Sequence, residues 1–459
     1  TIRLWDEARN AVNALEMLSS GDLITRTFNY IPETYNLKPP FLTWLQVISF
    51  KLFGINELAV RMPSVIASIS TIILVCFWVY KETNSRVSAF FAAGITATSS
   101  GFYGDHVSRF GDHDALLVFF CTALVFLVVK YVKTKKNEYL YLSSLTLILG
   151  VLTKSISILM FGPGLLLYVL FSQNLVGLFR NNAFYLSLFG FVFSIGAYYL
   201  VREHSQPGFL SFVWNDELFP RYFNTSENLT FAEPDKFYYI NLFYTKQFKY
   251  FFFLLPLALI VPFIKKMNRL DGFWAALFVT LFFVAVISRG TNNFWYGAPA
   301  IPIMAVLAAR ISDVILNAIK TPTWITIVLV AAALFYPYKT AYTQALQTQE
   351  KAYDIETYGV SYYLEERGHN LSSNHKILLD SIYGFEPHMF YNRRLELEKG
   401  VFLNRIWQDK VRVGDTLLIS HISTYNYLNT EYKTETIDSL NDYTKLVFIY
   451  KKRESEALP

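Results

Sequence analysis

Apolar runs near the ~20 residues that span a bilayer recur from Arg61 to Tyr338. They read as about ten membrane spans, at 60–80, 86–103, 114–132, 138–153, 155–172, 183–201, 247–264, 272–288, 296–318 and 322–338. The pair around Lys154 is short and reads as a tight hairpin. The segment before these runs has a different pattern. Asp6 to Ser19 is an amphipathic helix with Ala11, Leu15 and Leu18 on one side, ended by Gly21-Asp22. Lys38-Pro39-Pro40 opens a second apolar helix, Phe41 to Phe53, ended by Gly54. Proline suits a first helical turn because its missing N–H would be unpaired there anyway. This helix is short for a span, so both are expected to lie along the outer membrane surface. After Tyr338 the apolar runs shrink to strand length at 376–380, 416–419 and 446–450, and about 341–367 reads as helical. The pattern predicts an α-helical polytopic membrane protein, with amphipathic surface helices in its first outside loop. Residues 1–339 form the membrane-embedded domain and 340–459 a small extracytoplasmic α/β domain.

Composition agrees. The 459 residues are 53% hydrophobic and 17% charged, against about 25% charged in an average soluble domain. This excludes a disordered, collagenous or disulfide-built chain. The mean hydropathy of +0.29 is modest for a membrane protein, which fits large water-exposed parts. Cys76 and Cys121 both sit in apolar runs and read as packing residues. The net charge of +5 matters less than its placement, and no basic tract suited to nucleic acid is present. With the segment before Arg61 outside, the alternate loops hold Lys81 and Arg86, Lys130 to Lys136, Arg180, Lys265 to Arg269, and Lys320. Such enrichment marks the cytoplasmic side. The chain begins at Thr1 in polar sequence, so one further membrane helix is expected ahead of it.

The candidate chemistry collects in the outside loops. Asp6 and Glu7 head the first helix; they are either partners of its dipole or a base and charge anchor at the membrane surface. Lys38 has the wrong sign for a helix start, so it either holds a phosphate or snorkels to the headgroups. The run from Gly104 to Asp114 repeats Gly-Asp-His seven residues apart and contains Arg109. The repeat would let two histidines bind a metal; solvated loop residues are the plainer reading. Asp114 stands at the lip of a span, where ionisable groups are functional candidates. Lys154 sits between two short apolar runs, Arg221 lies in the long outside loop, and Arg289 to Tyr296 form a short polar turn. Cations suit a phosphate and carboxylates suit deprotonation of a nucleophile, so this face reads as a site for an anionic amphiphile.

The order Trp5-Asp6-Glu7-Ala8-Arg9, Gly21-Asp22, Lys38-Pro39-Pro40, Trp44-Leu45, Leu52-Phe53-Gly54 and Arg61-Met62-Pro63-Ser64 resembles the first outside loop of GT-C-fold glycosyltransferases. It is most similar to the aminoarabinose lipid A transferases and their relatives, the protein O-mannosyltransferases. Asp114 to Phe120, Leu152-Thr153-Lys154, Gly162-Pro163-Gly164, and Tyr296 with Pro299, Pro302 and Ala308-Ala309-Arg310 continue the resemblance, which covers about residues 5–310.

The resemblance implies an integral-membrane enzyme that moves a sugar, with inversion, from a polyprenyl-phosphate donor to an extracytoplasmic acceptor: lipid A, another glycan, a phospholipid or protein. It implies a bacterial inner membrane with the active site facing the periplasm. It maps catalytic roles onto Asp6, Glu7 and Asp114, and donor binding onto Lys38, Lys154 and Arg221, with Arg109 and Tyr296 nearby. No cofactor is fixed, and a divalent metal is left open. Leu37 replaces a carboxylate that some relatives place before the lysine, Ser155 replaces a glycine, and Asn292-Asn293 replace a lysine that Arg289 could substitute. A transporter or flippase of lipid-linked sugars is the competing reading; it usually carries midplane charges and inverted repeats, neither of which is evident here. Sequons at Asn224, Asn228 and Asn370 are short enough to occur by chance.

Overall fold

The computed structural model describes residues 1–3, 5–104, 106–223, 235–288, 292–346, 352–379 and 385–453, with the side chains of 220–223 and 352–356 left aside. Helices α1 (Asp6–Ser20) and α2 (Phe41–Phe53) precede α3 (Glu57–Thr83), α4 (Arg86–Thr98), α5 (His113–Thr134) and α6 (Glu138–Lys154). Then follow α7 (Gly162–Phe171), α8 (Asn182–Ser205), α9 (Gly272–Ile287), α10 (Ala300–Ala318) and α11 (Thr323–Leu346). Among the described residues, six helical stretches are long and apolar enough to cross a membrane: α3, α5, the broken run Glu138–Phe171, α8, α10 and α11. α2 and α9 are shorter apolar helices.

The hairpin around Lys154 is present. Ser155 takes the left-handed region at φ 52 and breaks the helix, and a 3-10 turn over Ser155–Phe161 leads into α7. At the opposite end of the bundle from Lys154, Asn181 Nδ2 donates to Asn137 Oδ1 at 2.7 Å, and Tyr168 donates to the Leu270 carbonyl at 2.8 Å. α7 approaches α9 so closely that a Cβ on Gly164 would lie 2.5 Å from Val279 Cα. The run 247–264 departs from a regular helix: it is a 3-10 stretch, Phe252–Leu259, followed by one turn, Val261–Ile264. Pro256 and Pro262 explain this, since each lacks the N–H that an α-helix needs and crowds the preceding turn. α10 is buried almost all round from Ala300 to Ile311, as expected of a helix at the centre of a bundle.

The polar tail is an α/β domain. Its sheet runs in the order Asn404–Trp407, His375–Leu379, Thr416–Ile419, Lys445–Lys452, Tyr432–Ser439. The first three strands are parallel and the last two antiparallel to their neighbours. The three predicted strands are its centre. Helices α12 (Ala352–Arg367) and α13 (Glu386–Lys399) pack beside it.

This domain covers the first outside loop. The apolar face of α1, including Ala8, Ala11 and Leu15, shares one core with Tyr363, Met389 and Phe390. Arg393 Nε meets Glu16 Oε1 at 3.0 Å, and both side chains are buried. The Ile2 N–H donates to the Tyr391 hydroxyl at 3.1 Å, and that hydroxyl donates to Glu57. The amphipathic helix at the surface of the membrane domain therefore meets protein along the face expected to meet lipid.

Candidate active site

Three features of the chain bring the site together at the outer mouth of the bundle. α1 begins at Asp6, α5 begins just after Asp112, and α6 ends at Lys154. Asp112 caps α5 by accepting the His113 N–H at 2.7 Å, which is the usual work of an aspartate at a helix start. Two residues further along, Asp114 faces Lys154. The ammonium donates to both carboxylate oxygens, at 2.6 and 2.7 Å, and the pair is almost wholly buried. Lys154 Nζ also lies 5.1 Å from the centre of the Tyr296 ring, a cation–π contact. Asp114, Lys154 and Tyr296 thus form one group.

Asp6 and Lys38 form the outer edge. Lys38 Nζ lies 3.9 Å from Asp6 Oδ1, and the Asp6 side chain is 32% exposed. Asp6 is the open carboxylate of the site. Behind it stands Asp112, which sequence reasoning left out of the catalytic set. His106 Nδ1 lies 2.9 Å from its Oδ2 and His113 Nδ1 lies 3.0 Å from its Oδ1. Burial disfavours the Asp112 carboxylate, but those hydrogen bonds and the charge of Lys38 outweigh it and hold the carboxyl well below its ordinary range. Burial likewise opposes the His106 imidazolium, yet the bond to Asp112 raises that pKa above 6.5. His106 stacks on Trp295 with ring centres 4.1 Å apart. The duplicated Gly-Asp-His was the signal: its histidines come from a turn and a helix start, and they bracket one carboxylate.

The carboxylate of Asp6, the imidazole of His106 and the carboxylate of Asp112 offer ligand atoms within 4.8 Å of one another. That oxygen and nitrogen set fits a divalent cation.

Glu7 is engaged elsewhere. Its oxygens accept from Arg61 at 2.7 and 2.9 Å, from the Gly111 N–H at 2.8 Å and from the Arg3 N–H at 2.8 Å. It ties α1, α3 and the 104–112 loop together, a positioning task. Arg109 is exposed on that loop and makes none of these contacts. The side chain of Arg221, and all of Arg289 and Asp105, lie outside the described residues, as do the sequons at Asn224 and Asn228. Sequence reasoning also missed Asn10, Asn36 and Arg26. Asn10 reaches Asp112 Oδ1 at 3.4 Å, Asn36 donates to Asn10 at 2.9 Å, and Arg26 donates to the Asn36 carbonyl. Burial pushes the pKa of the Arg26 guanidinium down from its ordinary value.

An apolar groove of about 1010 Å³ lies between α9, α10 and the 3-10 stretch; it is linked to the site through Tyr239, whose hydroxyl donates to the Asn293 carbonyl of the turn that carries Tyr296. Phe243, Leu255, Leu259, Leu281 and Met304 line it, and Lys236 and Ser288 mark its outer end.

This helical bundle, with its acidic outer mouth and small α/β cap, has the GT-C glycosyltransferase fold. Residues 37–200 match the family model described as dolichyl-phosphate-mannose-protein mannosyltransferase. The putative mannosyltransferase YkcB of Bacillus subtilis (strain 168) is 28% identical over 137 residues, 30% of this chain and 19% of that protein. An uncharacterized protein of Aquifex aeolicus (strain VF5) is 29% identical over 149 residues, 32% of this chain and 29% of its own length. The matched segments thus span less than a third of these curated relatives. Crystallised ArnT from Cupriavidus metallidurans, bound to undecaprenyl phosphate, superposes with a TM-score of 0.72 at 14% identity, over 97% of this chain and 94% of that one.

Proposed function

We propose that the protein is a membrane glycosyltransferase that moves a sugar from a polyprenyl-phosphate carrier to an acceptor outside the cytoplasm. The observation that carries this reading is the arrangement of Asp6, Lys38 and the Asp114–Lys154–Tyr296 group at one end of a bundle that also holds a large apolar groove. A groove of that size takes a prenyl chain, as the lipid bound to ArnT suggests. Lys38 and Lys154 then meet the carrier phosphate at the membrane surface.

In the reaction the acceptor's nucleophilic O–H or N–H attacks the sugar's anomeric carbon from the face opposite the phosphate. The bond from that carbon to the phosphate oxygen breaks, and the electron pair leaves with the phosphate. Lys38 stabilises this leaving anion. Asp6, the exposed carboxylate, takes the acceptor proton. Attack from the opposite face inverts the anomeric configuration. The acceptor class is lipid, glycan or protein, and the setting is a bacterial inner membrane with residues 340–459 and the site on the periplasmic side.

The test is an Asp6→Asn variant, reconstituted and assayed with polyprenyl-phosphate sugars by mass spectrometry of carrier and product. Loss of a general base is worth about 10²–10⁴ in rate. Full transfer by this variant, with an unchanged fold, would remove Asp6 from the mechanism. The same spectra, taken on envelopes with and without the protein, report which sugar goes missing.

A further inference from the structure

The stretch from Tyr238 to Gln247 stands between the apolar groove and the turn that carries Tyr296. It is helical in two parts: an α-helical turn over Tyr238–Leu242 and a wider π-helical one over Phe243–Gln247. Wide turns of that kind are frequent at functional sites. Ile240 and Phe243 line the groove. Tyr239, Phe243 and Gln247 recur at every fourth residue, so they share one side of the stretch. All three are buried, and each meets the 293–297 turn. The Tyr239 hydroxyl donates to the Asn293 carbonyl at 3.0 Å, and Gln247 Nε2 donates to the Phe294 carbonyl at 2.7 Å. Between these two bonds the Phe243 ring covers Gly297. A Cβ on Gly297 would lie 2.9 Å from both Cε1 and Cζ of that ring, and 3.1 Å from Gln247 Oε1.

The turn held in this way is the aromatic wall of the candidate active site. Trp295 stacks on His106 with ring centres 4.1 Å apart, and Lys154 Nζ lies 5.1 Å from the centre of the Tyr296 ring. Gln247 is kept in place at a cost, because its Oε1 is buried without a partner. Phe243 belongs to both structures: it lines the groove and packs over the residue that follows Tyr296. A chain lying in the groove therefore braces the same ring that backs the turn. A phosphate headgroup alone reaches Lys154 and leaves that ring without support.

We propose that Tyr239, Phe243 and Gln247 are positioning residues that make the active site respond to the length of the carrier chain. A long prenyl chain braces Phe243 and sets Tyr296 and Trp295 against Lys154 and His106; a short chain on the same phosphate does not. Binding energy from the unreactive tail is thereby used at the reacting end. Long carriers are selected through the setting of this turn as well as through affinity. This rests on the donor reading given above, which places the chain in the groove.

The test uses the full chain, labelled with 5-fluorotryptophan, in phosphatidylcholine nanodiscs. It reads the fluorine resonance of Trp295, assigned by its absence from Trp295→Phe. The probes are undecaprenyl phosphate and geranyl phosphate, which carry one headgroup on a long and a short chain. Each is added to saturation, and retained lipid is counted by mass spectrometry. In wild type undecaprenyl phosphate should shift the Trp295 line, and geranyl phosphate should shift it less. Tyr239→Phe/Gln247→Met removes both hydrogen bonds to the turn. It should still retain undecaprenyl phosphate and lose the difference between the two lipids. Its other tryptophan lines should keep their wild-type positions, which shows that it is folded; if they move, Tyr239→Phe alone is judged by the same difference. Equal or reversed shifts by the two bound lipids in wild type would overturn the proposal and leave the donor reading standing. A folded variant that keeps the full difference would overturn it as well. Retention of the long lipid only would mean that affinity alone selects the carrier, against the proposal. A wild type that retains neither lipid overturns the donor reading, and this proposal with it.

Discussion

The Asp114–Lys154 pair offers the sharpest test of how the site is built. Its two N–O distances are 2.6 and 2.7 Å, and the side chains are 2% and 7% exposed. A charge so buried depends on its partner. Removing one member of such a pair costs about 3–5 kcal/mol, because the other is left charged in a medium of low dielectric. Replacing both by groups of similar size is often near neutral, since neither desolvation nor attraction then remains. Asp114→Asn and Lys154→Met should therefore each destabilise the bundle by about 3 kcal/mol or more, and the double variant by much less. Equilibrium unfolding in mixed micelles, run on wild type, both single variants and the double variant, gives the coupling energy directly. Activity behaves differently. The double variant should regain stability and still fail to bind undecaprenyl phosphate at the wild-type level, because the ammonium beside Tyr296 is gone. Single effects that simply add would refute the reasoning, as would a double variant with full donor affinity.

Further outcomes follow from other parts of the same mouth. Gly111→Ala would put a Cβ 2.6 Å from Val60 Cγ1 and 2.8 Å from the Val60 carbonyl; the loop must move and strain the Gly111 N–H bond to Glu7, so unfolding assays should show a loss of about 1–3 kcal/mol. Glu33 pairs with Arg9 through contacts of 2.9 and 3.0 Å; burial opposes its ionisation, but Arg9 and the Tyr35 N–H outweigh that and depress its pKa below 4.5. A depressed carboxyl stabilises the fold above its unfolded value and loses that contribution as pH falls through the folded one. The stability gap between wild type and Glu33→Gln should therefore be constant near neutrality and close between about pH 4.5 and more acidic values; a gap that widened on acidification would contradict this. Arg393→Ala leaves Glu16 buried with only Thr27 and Tyr30 as hydrogen-bond donors. It should loosen the docking of 340–459 by about 3 kcal/mol, read as faster limited proteolysis of that domain.

Much of the bundle was legible because membrane spans announce themselves by length and hydropathy. The hairpin at Lys154 and the strands at 376–380, 416–419 and 446–450 were visible for the same reason: each is a short apolar run between breakers. The 247–264 run misled as a helix because hydropathy does not register the two prolines that break it. Two strands of the five-stranded sheet were invisible. Tyr432–Ser439 is largely exposed and polar, and Asn404–Trp407 is a short edge strand, so neither shows an apolar run. In the site, Asp6, Lys38, Asp114, Lys154 and Tyr296 were readable as charges or aromatics at the ends of apolar runs. Asp112 and His106 were visible as a repeat, but their pairing depends on a left-handed turn at His106, φ 65, which local sequence does not specify.

The least legible feature is the one that holds Asp6 in place. Local pattern gives α1 an apolar face and leaves open what covers it. At the start of the helix Glu7 joins α1 to Arg61 of α3 and to Gly111 of the second loop. Near its end Glu16 joins it to Arg393, 377 residues away in sequence. Both carboxylates are buried, so each anchor holds only while its arginine is present. Asp6 is the first residue of this doubly anchored helix, yet its own carboxylate stays open beside Lys38. The position of the carboxylate proposed as the base is thus fixed by two buried acids that are each paired with an arginine. The α/β domain, although away from the groove, thereby helps hold the proposed base in place. Its removal should therefore lower turnover more than donor affinity, because Lys154 and the groove rest on helices that it does not touch.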